Sequence, residues 1–207
     1  MFKKTLSKET ARALEILGCS KFLKHAYLAG GTACALQLGH RISIDLDFFT
    51  PQKFDEKNII RLLQETGKFE LEEQSEGTIL GQFEKVKFSL FVYPYPVLFP
   101  FQDFDSVQLA DIRDIAAMKV DAIASRGIKR DFIDLFFILK QDISLKEILS
   151  FYDRKYKTLA SHHMHLFKSL VYFEDAEASP IPRMLSKVEW KKVRSFFEGE
   201  TKKLVAR

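Results

Sequence analysis

Between residues 42 and 49, Ile42, Ile44, Leu46 and Phe48 alternate with Ser43, Asp45, Asp47 and Phe49. A period of two over eight residues predicts a strand with one greasy face and one mostly polar face. Residues 86–92 repeat the pattern, with Val86, Phe88, Leu90 and Val92 set against Lys87, Ser89 and Phe91. Tyr93-Pro94-Tyr95-Pro96 ends that strand, because proline has no N–H to give a ladder. Residues 69–74 and 78–83 are two further strand candidates, and the apolar run 25–29 reads as a short strand feeding the Gly30-Gly31 turn. Helical spacing takes over at 6–18, where Leu6, Ala11, Leu14 and Leu17 precede a stop at Gly18. Residues 32–38 predict a short helix capped by Gly39, and 55–66 a longer one.

Beyond an irregular, aromatic-rich stretch at 94–106 the character is helical. Asp111 is a fitting N-cap, Asp114 follows three residues later, and Gly127 closes that helix. Residues 131–140 and 162–173 predict two more helices. Ser144 with Glu147, and Ser186 with Glu189, each resemble a capping box at a later helix start. The expected class is therefore α+β, with a mixed sheet and flanking helices in residues 1–105 and an all-α half in 106–207.

Length and composition narrow the picture only a little. The 207 residues carry a net charge of +4, which permits an anionic ligand without demonstrating nucleic-acid binding. Two cysteines, Cys19 and Cys34, make neither a disulfide framework nor a zinc site. No apolar segment approaches the ~20 residues that span a bilayer, and no signal peptide is evident. A cytoplasmic protein with no membrane partner is the expectation.

The chemistry concentrates at residues 30–49. Asp45 and Asp47 lie two apart, so on a strand they project from one face, about 6.5 Å apart. Two such carboxylates repel one another, and a divalent cation relieves that repulsion. Magnesium suits a site of few carboxylates, because it completes its shell with water and phosphate oxygens. A two-ion site is left open. Gly30 and Gly31 allow close backbone approach to a phosphate, and a helix starting at Thr32 would aim its N–H groups at the same anion. Thr32 and Ser43 offer hydroxyls and Arg41 offers a fork of donors for phosphate. His40 fits a buried structural role equally well.

A second constellation spans 111–140. Lys119 falls inside an apolar helical stripe between Ile115 and Ile123, and Asp131 and Asp134 share one face of another apolar helix. Spacing alone fits a structural salt-bridge network as well as a catalytic group, with Lys119, Arg126 or Arg130 as the cation. The histidines at 162, 163 and 165 suggest metal less than they suggest an exposed helix face.

These motifs support a resemblance. Gly30-Gly31-Thr32-Ala33, followed by Gly39-His40-Arg41 and by Ser43, Asp45-Leu46-Asp47-Phe48-Phe49, resembles the AbiEii/AbiGii-type nucleotidyltransferase toxins of abortive-infection and toxin–antitoxin systems. More broadly it resembles the DNA polymerase β-like nucleotidyltransferases. The Lys119 helix and the Arg130-Asp131-Phe132-x-Asp134-Leu135 helix match the same toxins, as does Leu170–Glu177, so the likeness spans roughly residues 25–180. The resemblance implies a polymerase β-like core followed by a helical domain that contributes to the active site. It implies a magnesium-dependent transfer of a nucleotide from a nucleoside triphosphate to an acceptor hydroxyl of RNA, tRNA included. It also implies a separately encoded antitoxin, a phosphate-contacting role for Lys119, and a catalytic role for Asp131 or Asp134. One departure stands out: the strand 86–92 lacks the third carboxylate usual in polymerase β-like enzymes, and Glu84 lies just before it. The alternatives are a catalytically impaired nucleotide- or partner-binding protein of the same fold, and a small-molecule nucleotidyltransferase.

Overall fold

In the computed structural model, which describes residues 1–157 and 163–206, the alternating segments become strands of one mixed sheet. The strands are β1 (Tyr27–Leu28), β2 (Leu46–Thr50), β3 (Phe69–Ser75), β4 (Thr78–Phe83), β5 (Val86–Val92), β6 (Gln102–Phe104) and β7 (Val107–Leu109). Their order is β3-β4-β5-β2-β1-β7-β6. The β2–β5 and β1–β7 pairs are parallel and the others antiparallel. Three helices join them, α1 (Lys8–Gly18), α2 (Gly30–Leu38) and α3 (Glu56–Thr66). The class is α+β, as the patterning predicts.

Each element starts where local chemistry allows. Ser7 accepts the Thr10 N–H at the head of α1, and Asp55 accepts the Asn58 N–H at the head of α3. The β4–β5 hairpin turns on Glu84 and Lys85, both at positive φ. Glu84 thus sits in a turn, where it accepts the Lys68 N–H at 2.9 Å. One sheet face is greasy and closed: Leu46, Phe48, Ile79, Phe88 and Leu90 are buried, with the Phe48 and Phe88 rings 5.8 Å apart. Each such side chain contributes about 1.5–3 kcal/mol by leaving water.

The structure corrects the pattern in three places. The alternation over 42–49 does not run unbroken: β2 begins at Leu46, and before it Arg41 and Ser43 are buried while Ile44 is 59% exposed. The cause is the N-terminal segment, which pairs with residue 43 through the Leu6–Ser43 bridge and a Ser43 N–H to Thr5 carbonyl bond. The stretch 94–106 is not wholly irregular, since β6 and β7 form a hairpin at 102–109 and β7 extends the sheet beside β1. Ser186 and Glu189 form no capping box. Glu189 is itself the N-cap of the last helix, with no side-chain bond there.

The chain divides into two compact units, Met1–Asp111 and Ile112–Arg207. The second is helical: α4 (Ile112–Ser125), α5 (Lys129–Leu139), α6 (Leu145–Tyr156), α7 (His163–Leu170), α8 (Glu174–Ala178) and α9 (Trp190–Val205). Gly127, at φ +53°, turns the chain between α4 and α5. The Ser144–Glu147 capping box is present at the head of α6. Phe132 of α5 anchors the core among Phe173, Trp190 and Phe197, at centroid distances of 5.2–5.9 Å. A fully buried ion pair, Lys155 Nζ to Asp114 Oδ1 at 2.7 Å, ties α6 to α4. Of the three histidines, His162 lies outside the described residues, and His163 Nε2 is 2.8 Å from Asp153 Oδ1.

Candidate active site

In the sheet unit, Asp45 and Asp47 are bound through their own backbone to the two residues that flank Gly30-Gly31. The Asp47 carbonyl accepts the Ala29 N–H at 3.0 Å, and the Asp45 carbonyl accepts the Thr32 hydroxyl. Thr32 is fully buried and its hydroxyl also lies 2.9 Å from Ser43 Oγ. These bonds fix the carboxylate segment against the head of α2. Asp47 belongs to β2 and Asp45 immediately precedes it; both are half-buried, while Leu46 and Phe48 between and beyond them are closed off.

The glycines are required by space. Gly30 stands at φ +64°, and a Cβ built there would lie 2.8 Å from Asp47 Oδ2. A Cβ on Gly31 would lie 2.5 Å from Arg41 Nη2 and 3.3 Å from Ser43 Oγ. The aspartate oxygens and the arginine fork therefore approach the backbone of this turn directly. The helix begins at Gly30, two residues earlier than its spacing predicts, and no side chain caps it. Its first N–H groups and positive dipole end thus meet the carboxylate side of the turn. Arg41 is buried, and its Nη1 donates to the Ile42 carbonyl at 3.0 Å. His40 is fully buried, in keeping with a structural role.

The donor set fits a hard divalent cation with its phosphate ligands: two carboxylates supply oxygen, and the glycine turn leaves room that any side chain would fill. The neighbouring strand adds no acid, because the residue registered beside Asp47 on β5 is the buried Ser89. Gly30→Ala is expected to cost about 1–2 kcal/mol from the left-handed backbone alone, and to displace the Asp47 carboxylate. Thermal unfolding and triphosphate binding measure the two effects. A variant native in both would show that the close approach does not exist.

In the helical unit, Lys119, Asp131 and Asp134 form one buried cluster. Lys119 Nζ lies 2.8 Å from Asp131 Oδ1 and 2.7 Å from Asp134 Oδ2, and both carboxylates are fully buried. Arg126, half-exposed, joins through Nε to Asp131 Oδ2 at 2.9 Å and Nη2 to Oδ1 at 3.1 Å. Burial by itself would raise the Asp131 carboxyl, but the Lys119 charge and the Arg126 hydrogen bonds outweigh it and hold the group below the usual range. A depressed carboxyl stabilises the fold above its unfolded value and loses that contribution as pH falls through the folded one. Stability is therefore expected to decline below about pH 4, and Asp131→Asn to flatten that acid slope. Urea unfolding between pH 2 and 7 gives the comparison; equal slopes would sink the assignment.

Sequence reasoning missed that Thr32 and Ser43 bond to each other inside the protein; Arg126, offered with Lys119 and Arg130 as a cation for the aspartates, joins Lys119 in the cluster. The opposite phase of residues 41–43 was hidden by the isoleucines at 42 and 44.

Three comparisons bear on this arrangement. The family model for the nucleotidyl transferase AbiEii toxin of type IV toxin–antitoxin systems matches residues 12–205. An uncharacterized protein of Aquifex aeolicus is 39% identical over 204 residues, covering 95% of this chain and 96% of its own. Among solved structures, JHP933 from Helicobacter pylori aligns with a TM-score of 0.53 at 17% identity, over 97% of this chain and 95% of that one. A candidate nucleotidyltransferase from H. pylori aligns with a TM-score of 0.55 at 16% identity, over 97% and 98%. At such identities the two structures establish the shared fold.

Proposed function

Because this chain belongs to the AbiEii nucleotidyl transferase toxin family of type IV toxin–antitoxin systems, and is thus a nucleotidyltransferase, we propose that it moves a nucleoside monophosphate from a nucleoside triphosphate to an RNA hydroxyl, with tRNA as the favoured acceptor. The observation that carries the reading is the backbone link between Asp45, Asp47 and the Gly30-Gly31 turn. It holds two acidic residues beside a helix N-terminus, an arrangement that supports the binding of a metal-bound triphosphate.

Asp45 and Asp47 would hold the divalent cation, with magnesium as the ion these oxygens suit, and that ion would supply charge neutralisation at the phosphates. The Gly30, Gly31 and Thr32 N–H groups cradle the phosphate tail. Thr32 and Ser43 hold the turn in place through their shared hydrogen bond, and Arg41 adds positive charge beside Gly31. The acceptor oxygen attacks the α-phosphorus, the bond to the bridging oxygen breaks, and pyrophosphate leaves. In the helical unit the buried Lys119–Asp131–Asp134 cluster holds α4 to α5, and the family likeness gives Lys119 a phosphate-contacting role and Asp131 or Asp134 a catalytic one. The expected partners are the triphosphate, the RNA and a cognate antitoxin. No described helix is long and apolar enough to cross a membrane.

The test is a transfer assay. Purified protein is incubated with magnesium, each labelled nucleoside triphosphate in turn and total bacterial RNA, beside the Asp45→Ala/Asp47→Ala double variant. Label on RNA with the native chain alone supports the proposal and names the nucleotide. Label on a small molecule instead would replace the acceptor. Absence of label anywhere, with magnesium-dependent triphosphate binding intact, would replace the reaction with binding.

A further inference from the structure

The polar face of the sheet changes character one step beyond Asp47. Residues on one strand face recur every second position, about 6.5 Å apart, so Phe49 stands next to Asp47 on the same side. Register places Phe91 beside Phe49 on β5 and Tyr27 beside it on β1. The rings meet: Phe49 lies 5.5 Å from Phe91, 6.0 Å from Tyr27 in a stacked pair, and 5.2 Å from Tyr93 edge-on. Tyr27 is buried at 2% exposure, while Phe49, Phe91 and Tyr93 are half-buried.

Tyr27 is covered by Phe101, 5.0 Å away between ring centroids, whereas Phe49 and Phe91 keep part of their surface open. The core of this sheet is on the other face, where Phe48 and Leu90, the chain neighbours of Phe49 and Phe91, are 1% and 2% exposed. A half-exposed strand face ordinarily carries polar residues. Here it carries two phenylalanines braced by two tyrosines, in line with the aspartate that neighbours the glycine turn. Flat aromatic surface beside a phosphate site matches the face of a nucleobase, which stacks on such rings whatever its identity.

We propose that Phe49 and Phe91 form the floor of a nucleobase subsite, with Tyr27 and Tyr93 as its brace. The inference rests on the nucleotidyltransfer reading of Asp45, Asp47 and Gly30-Gly31. The base comes either from the nucleoside triphosphate or from the acceptor RNA, and one experiment separates the two sources. Magnesium-dependent binding of a nucleoside triphosphate and of inorganic tripolyphosphate, which has no base, is measured by competition for native protein, Phe49→Leu/Phe91→Leu and Phe91→Tyr. In a parallel arm, the KM for RNA is measured at saturating triphosphate.

If the base of the triphosphate stacks, the double leucine variant binds the triphosphate about tenfold more weakly, keeps native affinity for tripolyphosphate, and Phe91→Tyr behaves as native. If the base of the acceptor stacks, triphosphate binding is unchanged and the KM for RNA rises by a similar factor. Both results support the subsite. A double variant with a native melting temperature, native triphosphate affinity and native KM for RNA would overturn it while leaving the phosphate site standing. A native protein that binds neither triphosphate nor tripolyphosphate would overturn the phosphate site, and the subsite with it.

Discussion

Asp47→Asn is expected to leave a folded protein whose transfer rate has fallen by about 10³-fold. Asparagine keeps the shape of the side chain, so the close fit over Gly30, where Oδ2 would meet a Cβ at 2.8 Å, survives. What is lost is the charge. Metal ions at phosphates contribute several kcal/mol of charge stabilisation, and about 4 kcal/mol corresponds to three decades of rate. The same substitution removes the repulsion between residues 45 and 47 in the metal-depleted protein. The melting temperature without metal is therefore expected to stay level or rise, and its increase on adding magnesium and triphosphate to disappear. That pairing of a lost rate with an undiminished fold separates a ligand from a structural residue. A normal rate in Asp47→Asn would remove Asp47 from the site, and the matching Asp45→Asn variant tests its neighbour.

Lys119→Met is expected to destabilise the helical unit by about 3–5 kcal/mol. Lys119, Arg126, Asp131 and Asp134 form a balanced set of two positive and two negative charges, with Lys119 between two fully buried carboxylates. Methionine fills the space of the lysine stem but leaves the set with an excess negative charge out of water. Arg126 continues to serve Asp131, so the loss falls hardest on Asp134. Adding Asp134→Asn restores the charge balance, and the double variant is expected to recover more than half of the lost stability. Urea denaturation of the native, single and double variants yields the coupling. A loss under about 1 kcal/mol in Lys119→Met, the range of a solvent-exposed pair, would show that the cluster is not closed from water. Transfer activity in the stabilised double variant then reports what Lys119 and Asp134 together do beyond holding the helices.

Much of this arrangement was legible in the sequence because it is local. Period-two alternation marks β5, since a side chain's face on a strand depends only on its own position. Gly39 adopts the left-handed cap it was expected to supply, and the Ser144–Glu147 box closes within four residues. The order of glycine turn, short helix and paired aspartates was visible for the same reason, as was Lys119 in an apolar stripe. The family model matches residues 12–205, a span that includes all of these motifs.

What tertiary structure decided is which groups meet across elements. Residues 41–43 turn opposite to their hydrophobic pattern because backbone pairing with residues 5 and 6 outweighs the burial of two isoleucines. Lys155 finds Asp114 from 41 residues away, and both Lys119 and Arg126 serve Asp131, where spacing left the cation open among Lys119, Arg126 and Arg130. Ser89 lies beside Asp47 only because β5 pairs parallel with β2 in that register. Alternation already sets Phe91 on the face of Lys87 and Ser89, but only the parallel β2–β5 register puts it beside Phe49. Periodicity reports which side of an element leaves water. It carries no information about the partner element, since that choice is made by packing the whole sheet and bundle at once.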